Sequence, residues 1–252
     1  MATVWRLILP IEASGSTQMA IDEWLLEQHR LGKSPACLRF YTWAPIAISL
    51  GYHQRHYPAH WQNLEWKNQT IDLVRRPSGG RAVLHQGDLT YSLIISGYSG
   101  RRRDVYAHLC KFLIEGWHSL GIALQLGAKQ QSYQHSDNCF GTSTAADLIM
   151  GNGYKLIGSA QLYRERCILQ HGSMRLLPDP SLVENVFGTP IMPPKDLMTI
   201  SAASVVDALA AAAQRIFDIR LEVQPLSHRE QQQAVAWAQT KSSAQSISRE
   251  TN

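Results

Sequence analysis

The stretch at residues 75–85 has the composition of a ligand-binding loop and reads Arg-Arg-Pro-Ser-Gly-Gly-Arg-Ala-Val-Leu-His. Pro77 and the adjacent Gly79 and Gly80 follow an apolar, strand-like run, where they allow the backbone to turn sharply beside a bound molecule. The arginines and Ser78 supply donors for carboxylate, phosphate or carbonyl oxygens. The stretch therefore predicts a loop that cradles a ligand, with a hairpin turn carrying solvated arginines as the alternative. It matches neither the G-x-x-x-x-G-K-[ST] phosphate loop nor the dinucleotide pattern G-x-G-x-x-G.

Cys139 lies in a polar, glycine-bearing stretch at residues 136–143, outside any periodic apolar segment. A nucleophilic thiol needs exposure, which this context favours. The alternative is a small buried side chain, as for most free cysteines. Cys37, Cys110 and Cys167 lie in strand-like or helical runs and are expected in the core. No two cysteines have the C-x-x-C spacing of a zinc or redox pair.

Lys155 begins a strand-like run that ends in the small residues Gly158, Ser159 and Ala160. Missing side chains at these positions would leave room for a ligand beside a sheet. An ammonium there would bind an acyl carbonyl or carboxylate and stabilise a nearby thiolate. The alternative is an exposed lysine in a hairpin, the commoner location for this residue type.

Three histidines within eight residues, His53, His56 and His60, invite a metal interpretation. Pro58 interrupts any helix that would align them, and no carboxylate or thiol stands nearby to complete a site. We therefore predict no metal site. His135 and His171 remain possible bases, although a lone histidine more often has a structural role.

Length and composition limit the class of protein. The 252 residues suffice for one large domain or two modest ones, and 44% hydrophobic with 17% charged residues describes a chain that can bury a core. The formal net charge of +4 is too small to indicate nucleic acid, but it is compatible with an acidic protein partner. Because no apolar run is long enough for a membrane span or a signal peptide, we expect a cytoplasmic protein that does not enter the membrane.

Hydrophobic periodicity predicts the elements that must position these residues. Helices are predicted at residues 16–30, 106–120, 201–219 and 227–241, and strands at 38–43, 47–52, 71–76, 90–96, 147–150, 154–162 and 167–176. Gly151-Asn152-Gly153 is typical of a hairpin turn. Residues 178–194 are predicted to be irregular and 242–252 frayed. Because hairpins dominate the middle of the chain, the sequence predicts an α+β fold, a mixed or antiparallel sheet layered with helices.

Two motifs carry a family resemblance. Residues 75–85, followed by Asp-Leu-Thr-Tyr-Ser at 88–92, closely resemble a signature of the superfamily of biotin and lipoate ligases and octanoyltransferases. Residues 153–161, followed by Ile-Leu-Gln-His-Gly-Ser at 168–173, are similar to its second signature. The resemblance implies a ligase-like catalytic domain, which we place at residues 1–223, before a C-terminal helix and polar tail at 224–252.

The motifs look most like the branch of octanoyltransferases that act from acyl carrier protein. That branch places a nucleophilic cysteine, in a Cys-Phe context, shortly before the lysine strand, and Cys139-Phe140 stands 16 residues ahead of Lys155. Arg81 stands where ligases usually carry a third glycine. The resemblance therefore implies that Cys139 and Lys155 are catalytic.

The same resemblance implies the substrates. The donor is expected to be octanoyl-acyl carrier protein, and the acceptors lipoyl domains of 2-oxoacid dehydrogenases and the glycine cleavage H protein. No cofactor is expected, because exchange of one thioester for another is nearly balanced. The substrate-binding residues implied by the two signatures are Arg76, Ser78, Gly79, Gly80, Arg81, His85, Gly158, Ser159 and Ala160.

Three other functions remain open at this point. The first is an ATP-dependent lipoate-protein ligase, which would need ATP and magnesium and leave Cys139 incidental. The second is a transferase that moves octanoyl groups between lipoyl domains by the same thiol chemistry. The third is a non-catalytic acyl-binding module.

Overall fold

The computed structural model describes residues 2–127 and 146–250, with side chains as far as residue 240. Six α-helices lie in these ranges: α1 (Gly15–Arg30), α2 (Arg102–Leu109), α3 (Lys111–Ser119), α4 (Pro180–Phe187), α5 (Ala202–Phe217) and α6 (His228–Glu250). The strands there are β1 (Thr3–Ala13), β2 (Cys37–Trp43), β3 (Ala47–Leu50), β4 (Glu65–Trp66), β5 (Gln69–Thr70), β6 (Asp72–Arg75), β7 (Val83–His85), β8 (Asp88–Ser96), β9 (Leu124–Leu126), β10 (Asp147–Met150), β11 (Lys155–Arg164), β12 (Cys167–Arg175) and β13 (Ile219–Val223).

Eight strands form the main sheet in the order β13-β1-β2-β8-β12-β11-β10-β9. β1 pairs in parallel with both β13 and β2, whereas the strands from β2 to β9 pair antiparallel. A smaller sheet has the order β6-β3-β7, and β4 pairs with β5. The predicted α+β class with a mixed sheet is therefore confirmed.

Helices cover both faces of the main sheet. Successive strand residues point to opposite faces, so Leu38 packs in the cluster with α3 and α5, while its neighbour Cys37 packs in the cluster with α1 and α6. This double cover explains why the central strands β2, β8 and β12 are buried on nearly every residue. Over the described part of the chain, no helix is both long and apolar enough to cross a membrane.

Two predicted elements differ from the observed ones. The helix expected at residues 106–120 is divided at Cys110 into α2 and α3. The prediction of an irregular segment at 178–194 was wrong for α4, whose local signals are plain: Asp179 accepts hydrogen bonds from the first turn, Pro180 opens the helix and Gly188 ends it with φ of 78°. These signals were outweighed by the proline content of the segment.

The C-terminal helix α6 extends beyond its predicted end, to Glu250, and packs on α1. Ser227 and Glu230 cap its first turn reciprocally, and Glu230 also receives a bidentate ion pair from Arg6 of β1. The division of the chain at residue 223 stays a prediction.

Candidate active site

Hydrogen bonds from Arg75 and Arg76 stabilise the conformation of the loop between β6 and β7. Arg76 is buried and donates to the carbonyl oxygens of Ser49 at 2.7 Å, Gly79 at 2.9 Å and Arg81 at 2.6 Å. Arg75 donates to the carbonyl oxygens of Gly51 and of residue 54, both at 2.7 Å. These bonds fix the loop backbone, so the alternative of freely solvated arginines does not describe Arg76.

Gly51 and Gly80 bring the end of β3 against this loop. A Cβ at position 51 would lie 1.8 Å from the carbonyl oxygen of Gly80, so only glycine permits this approach. Gly80 itself has φ of 98°, which favours glycine. The Gly79-Gly80 pair therefore serves the sharp turn that the sequence predicts.

Lys155 is buried, with 5% of its surface exposed, and its ammonium lies 2.9 Å from a carboxylate oxygen of Asp147. The exposed-hairpin alternative for this lysine was wrong. β10 and β11 form the hairpin that brings the two residues together. Sequence reasoning missed Asp147, although it begins the strand that was predicted to pair with the lysine strand.

A pocket of about 220 Å³ lies between this loop and β11. Its apolar wall includes Met19, Tyr41 and Trp43, and Asp147 also lines it. An outer groove of about 780 Å³ adjoins the pocket, since Met19, Arg76 and Gly79 line both, and Ser78 lines the groove. Among the described residues Arg81 lines neither. The predicted site residues that line the pocket are Arg76, Gly79, Gly80, His85, Gly158, Ser159 and Ala160.

His85 lies deep in this pocket, held on both ring nitrogens. Nδ1 is 2.8 Å from Asp88 and Nε2 is 2.8 Å from the hydroxyl of Ser49, while the ring stacks on Trp43 at 3.7 Å. Burial lowers the pKa of His85 from its ordinary value, and the opposing effect of Asp88 does not restore it. Because both ring nitrogens have partners, His85 contributes a fixed ring to the pocket wall.

His171, a possible base in the sequence, is held in a similar way. Its Nδ1 lies 3.1 Å from Asp22 of α1, and its Nε2 makes a short hydrogen bond with the hydroxyl of Ser78. Sequence reasoning did not single out Asp22, which is completely buried. The signal that could have found it is helical spacing, which places Asp22 on the same face of α1 as the apolar Met19 and Leu26.

The three described cysteines, Cys37, Cys110 and Cys167, are free and buried, as expected. Burial raises the pKa of Cys37 to about 12, and it raises the pKa of Cys110 to about 12 as well. Cys139, the predicted nucleophile, lies outside the described residues. Gly127 and Asp147, which flank residues 128–145, are joined by a hydrogen bond of 2.8 Å from the Gly127 amide to the Asp147 carbonyl.

Within the described ranges, no group of three or more histidine, cysteine, aspartate or glutamate side chains could hold a metal ion. His53, His56 and His60 are all exposed.

The fold matches solved structures at low sequence identity. A putative lipoate protein ligase from T. acidophilum with bound lipoic acid has a TM-score of 0.77 at 21% identity, with 96% of each chain covered. A lipoate-protein ligase A bound with ATP gives 0.77 at 21% identity, over 95% of each chain. At 21% identity, this structural similarity shows a shared fold alone.

Sequence relatives are closer. The octanoyltransferase LipM of Moorella thermoacetica is 40% identical over 183 residues, 69% of this chain and 66% of that protein. That of Symbiobacterium thermophilum is 32% identical, with 96% of each chain covered. The model of the lipoyl protein ligase A/B catalytic domain matches residues 14–231. The resemblance expected from the two signatures is confirmed, and the chain belongs to the lipoyl protein ligase A/B catalytic domain family.

Proposed function

We propose that this chain is an octanoyltransferase of protein lipoylation, which takes the octanoyl group from octanoyl-acyl carrier protein onto Cys139 and passes it to a lysine of lipoyl-domain proteins. The observation that carries the proposal is the identity with octanoyltransferases, which reaches 32% over 96% of the chain. The ligases among the solved structures share the fold at 21% identity and do not favour the ATP-dependent alternative.

The chemistry of the described cysteines supports Cys139 as the nucleophile. A thiolate is the reactive form, and burial raises the pKa of the thiol in Cys37, Cys110 and Cys167. Those three are therefore poor nucleophiles at neutral pH. Residues 128–145, which include Cys139, are followed by Ala146 and Asp147, and both of these line the pocket.

Lys155 supplies positive charge beside the same pocket, through its pair with Asp147. In the proposed reaction the ammonium stabilises the thiolate of Cys139 and the oxyanion that forms when the thiolate attacks the thioester carbonyl. The octanoyl chain lies along the apolar wall that includes Met19 and Trp43. Because one thioester replaces another and an amide forms next, neither ATP nor a metal is needed.

The acceptors we propose are lipoyl domains of 2-oxoacid dehydrogenases and the glycine cleavage H protein. One solved neighbour, at 20% identity, is described as a bipartite lipoate protein ligase with its E2 lipoyl domain. The net charge of +4 favours docking to acidic partners. A reducing compartment such as the cytoplasm would keep the Cys139 thiol available.

The test uses octanoyl-acyl carrier protein without ATP, followed by the intact mass of the enzyme. We expect a hydroxylamine-sensitive octanoyl adduct that is absent from Cys139→Ala and retained in Cys167→Ala, the matched control. No adduct, together with ATP-dependent modification of a lipoyl domain from free acid, would establish the ligase instead. If neither reaction occurs, the remaining function is that of a non-catalytic acyl-binding module.

A further inference from the structure

A continuous line of buried polar groups connects α1 with the arginine loop. Asp22 contacts Nδ1 of His171 at 3.1 Å, and Nε2 of the same ring contacts the hydroxyl of Ser78. The exposed fractions of Asp22, His171 and Ser78 are 0%, 5% and 1%. The order carboxylate, imidazole, hydroxyl is the arrangement in which an imidazole accepts a proton through one nitrogen while the other is held by the carboxylate.

The carboxylate end of this line is fixed as an anion. Arg39 donates to one oxygen of Asp22 at 2.6 Å, and the Tyr41 hydroxyl donates to the other at 2.9 Å. Burial raises the pKa of Asp22, but the charge of Arg39 and the contact with His171 outweigh it and bring the pKa below its ordinary value. An anionic Asp22 accepts from Nδ1–H, which leaves Nε2 of His171 as the acceptor toward Ser78.

The hydroxyl end lies where the pocket and the outer groove meet. His171 lines the pocket, Ser78 lines the groove, and Met19, Arg76 and Gly79 line both. An acyl group held in the pocket and an amine that arrives through the groove therefore approach each other beside this pair.

Asp88, His85 and Ser49 form a second set of carboxylate, imidazole and hydroxyl groups joined by hydrogen bonds, but its hydroxyl lies inside the pocket. Ser49 is hydrogen-bonded to Arg76, and among the described residues none of Ser49, His85 and Asp88 lines the groove. Of these two sets of hydrogen-bonded groups, the set that contains His171 is therefore the one that reaches the groove, through Ser78.

We infer that His171 is the general base of the amide-forming step, that Ser78 relays the proton and that Asp22 is a positioning residue. This inference rests on the proposed function. The acceptor lysine attacks as its neutral amine, its nitrogen forms the C–N bond, and the C–S bond to Cys139 breaks to give the thiolate. The proton lost by nitrogen passes to Oγ of Ser78 as the Ser78 proton passes to Nε2. The resulting imidazolium is stabilised by Asp22 and returns its proton to water when the product leaves.

The experiment separates the two half-reactions. Acylation is measured by the intact mass of enzyme treated with octanoyl-acyl carrier protein, and transfer by single-turnover reaction of the isolated acyl-enzyme with a lipoyl domain. For His171→Gln we expect normal acylation and transfer slowed by about 10²-fold or more. The transfer rate of the unmodified enzyme should rise with pH for two reasons, because the acceptor amine must be neutral and because the imidazole must be able to accept a proton. His171→Gln should keep the first contribution and lose the second. The charged and titratable groups that face His171 or its partners, and that can shift this rise, are Asp22, Arg39, Tyr41, His85 and Arg76.

Ser78→Ala is the second variant, because it removes one hydroxyl and leaves every buried charge paired. We expect it to slow transfer while the dependence on pH persists. His29→Gln is the matched control, since its ring bonds to the carbonyl of Ser34 and the hydroxyl of Ser96 outside both pockets, and it should leave both half-reactions unchanged.

Unchanged transfer in His171→Gln, or equal losses in both half-reactions with an unchanged pH profile, would overturn the inference and assign this line of groups to structure alone. If His171→Gln does not fold, unchanged transfer in Ser78→Ala would overturn the relay. Failure of the unmodified enzyme to form an acyl adduct would instead overturn the proposed function itself, and this inference with it.

Discussion

The contact between Gly51 and Gly80 makes a quantitative prediction for Gly51→Ala. The new Cβ would lie 1.8 Å from the Gly80 carbonyl oxygen and 2.7 Å from its carbonyl carbon, and both are main-chain atoms that cannot rotate away. The loop must retreat until this separation exceeds about 3 Å. Overpacking of this kind costs about 1–3 kcal/mol of unfolding free energy. Because a displacement of about 1 Å at a positioning element costs about 10²-fold in rate, we expect kcat/KM for octanoyl transfer to fall by that factor.

The assay pairs urea unfolding with transfer from octanoyl-acyl carrier protein to a lipoyl domain, measured well below the melting temperature. Gly116→Ala is the control, because its Cβ would crowd Leu209 at 2.6 Å in the contact between α3 and α5, away from the pocket. It should reduce stability without slowing transfer. The reasoning fails if Gly51→Ala is destabilised yet transfers at the normal rate, or if Gly116→Ala slows transfer equally.

Three further predictions concern charge and thiols. Lys155→Met should cost about 3–5 kcal/mol in urea unfolding, because it leaves the Asp147 carboxylate buried without this ammonium, and adding Asp147→Leu should recover part of the loss. Glu230→Gln should cost about 1–2 kcal/mol at pH 7: the hydrogen bonds from Arg6 lower the pKa of Glu230 from 4.5 to about 2, so the contribution is complete above pH 4.5 and is lost as the pH falls toward 2. Iodoacetamide should modify Cys139 in the folded protein far faster than the three buried cysteines, as mapped by peptide mass.

Each of these predictions has a control that the chain itself offers. Lys67→Met removes an exposed partner of Asp179, and Glu222→Gln removes an exposed partner of Arg220, so both should change stability by less than about 1 kcal/mol. In denaturing urea all four cysteines should react at similar rates. A loss in Lys67→Met as large as in Lys155→Met, a Glu230 effect that persists at pH 2, or equal thiol reactivity in the folded protein would contradict the respective argument.

Local patterns in the sequence were sufficient for the site's outline. The Gly79-Gly80 turn and the hairpin before Lys155 are short-range features, and residues from both line one pocket. Parallel pairing of β1 with β2 and β13 has no such local signal, since the partner of β13 lies more than two hundred residues away in the chain. The sheet's edge could therefore not be predicted from periodicity.

The partners of Asp22 were missed for the same reason. Asp22 shares a helix face with the apolar Met19 and Leu26, but only its contacts with Arg39 and His171, 17 and 149 residues away, show what stabilises a buried carboxylate there. A buried carboxylate is stable only when such partners exist, and a single sequence does not reveal which distant residues they are.

The register of the main sheet explains why the chemistry gathers on the α1 face. Arg39, Ser92, His171 and Ala160 are direct partners across β2, β8, β12 and β11. A second row two residues further along the same face comprises Tyr41, Thr90, Ser173, Gly158 and Asp147. A shift of one residue in the pairing of a strand would move all its side chains to the opposite face of the sheet. The positions of His171, the acyl pocket and Asp147 on one face therefore depend on a single register. The apolar residues of that face, under α1, stabilise the register that the site requires.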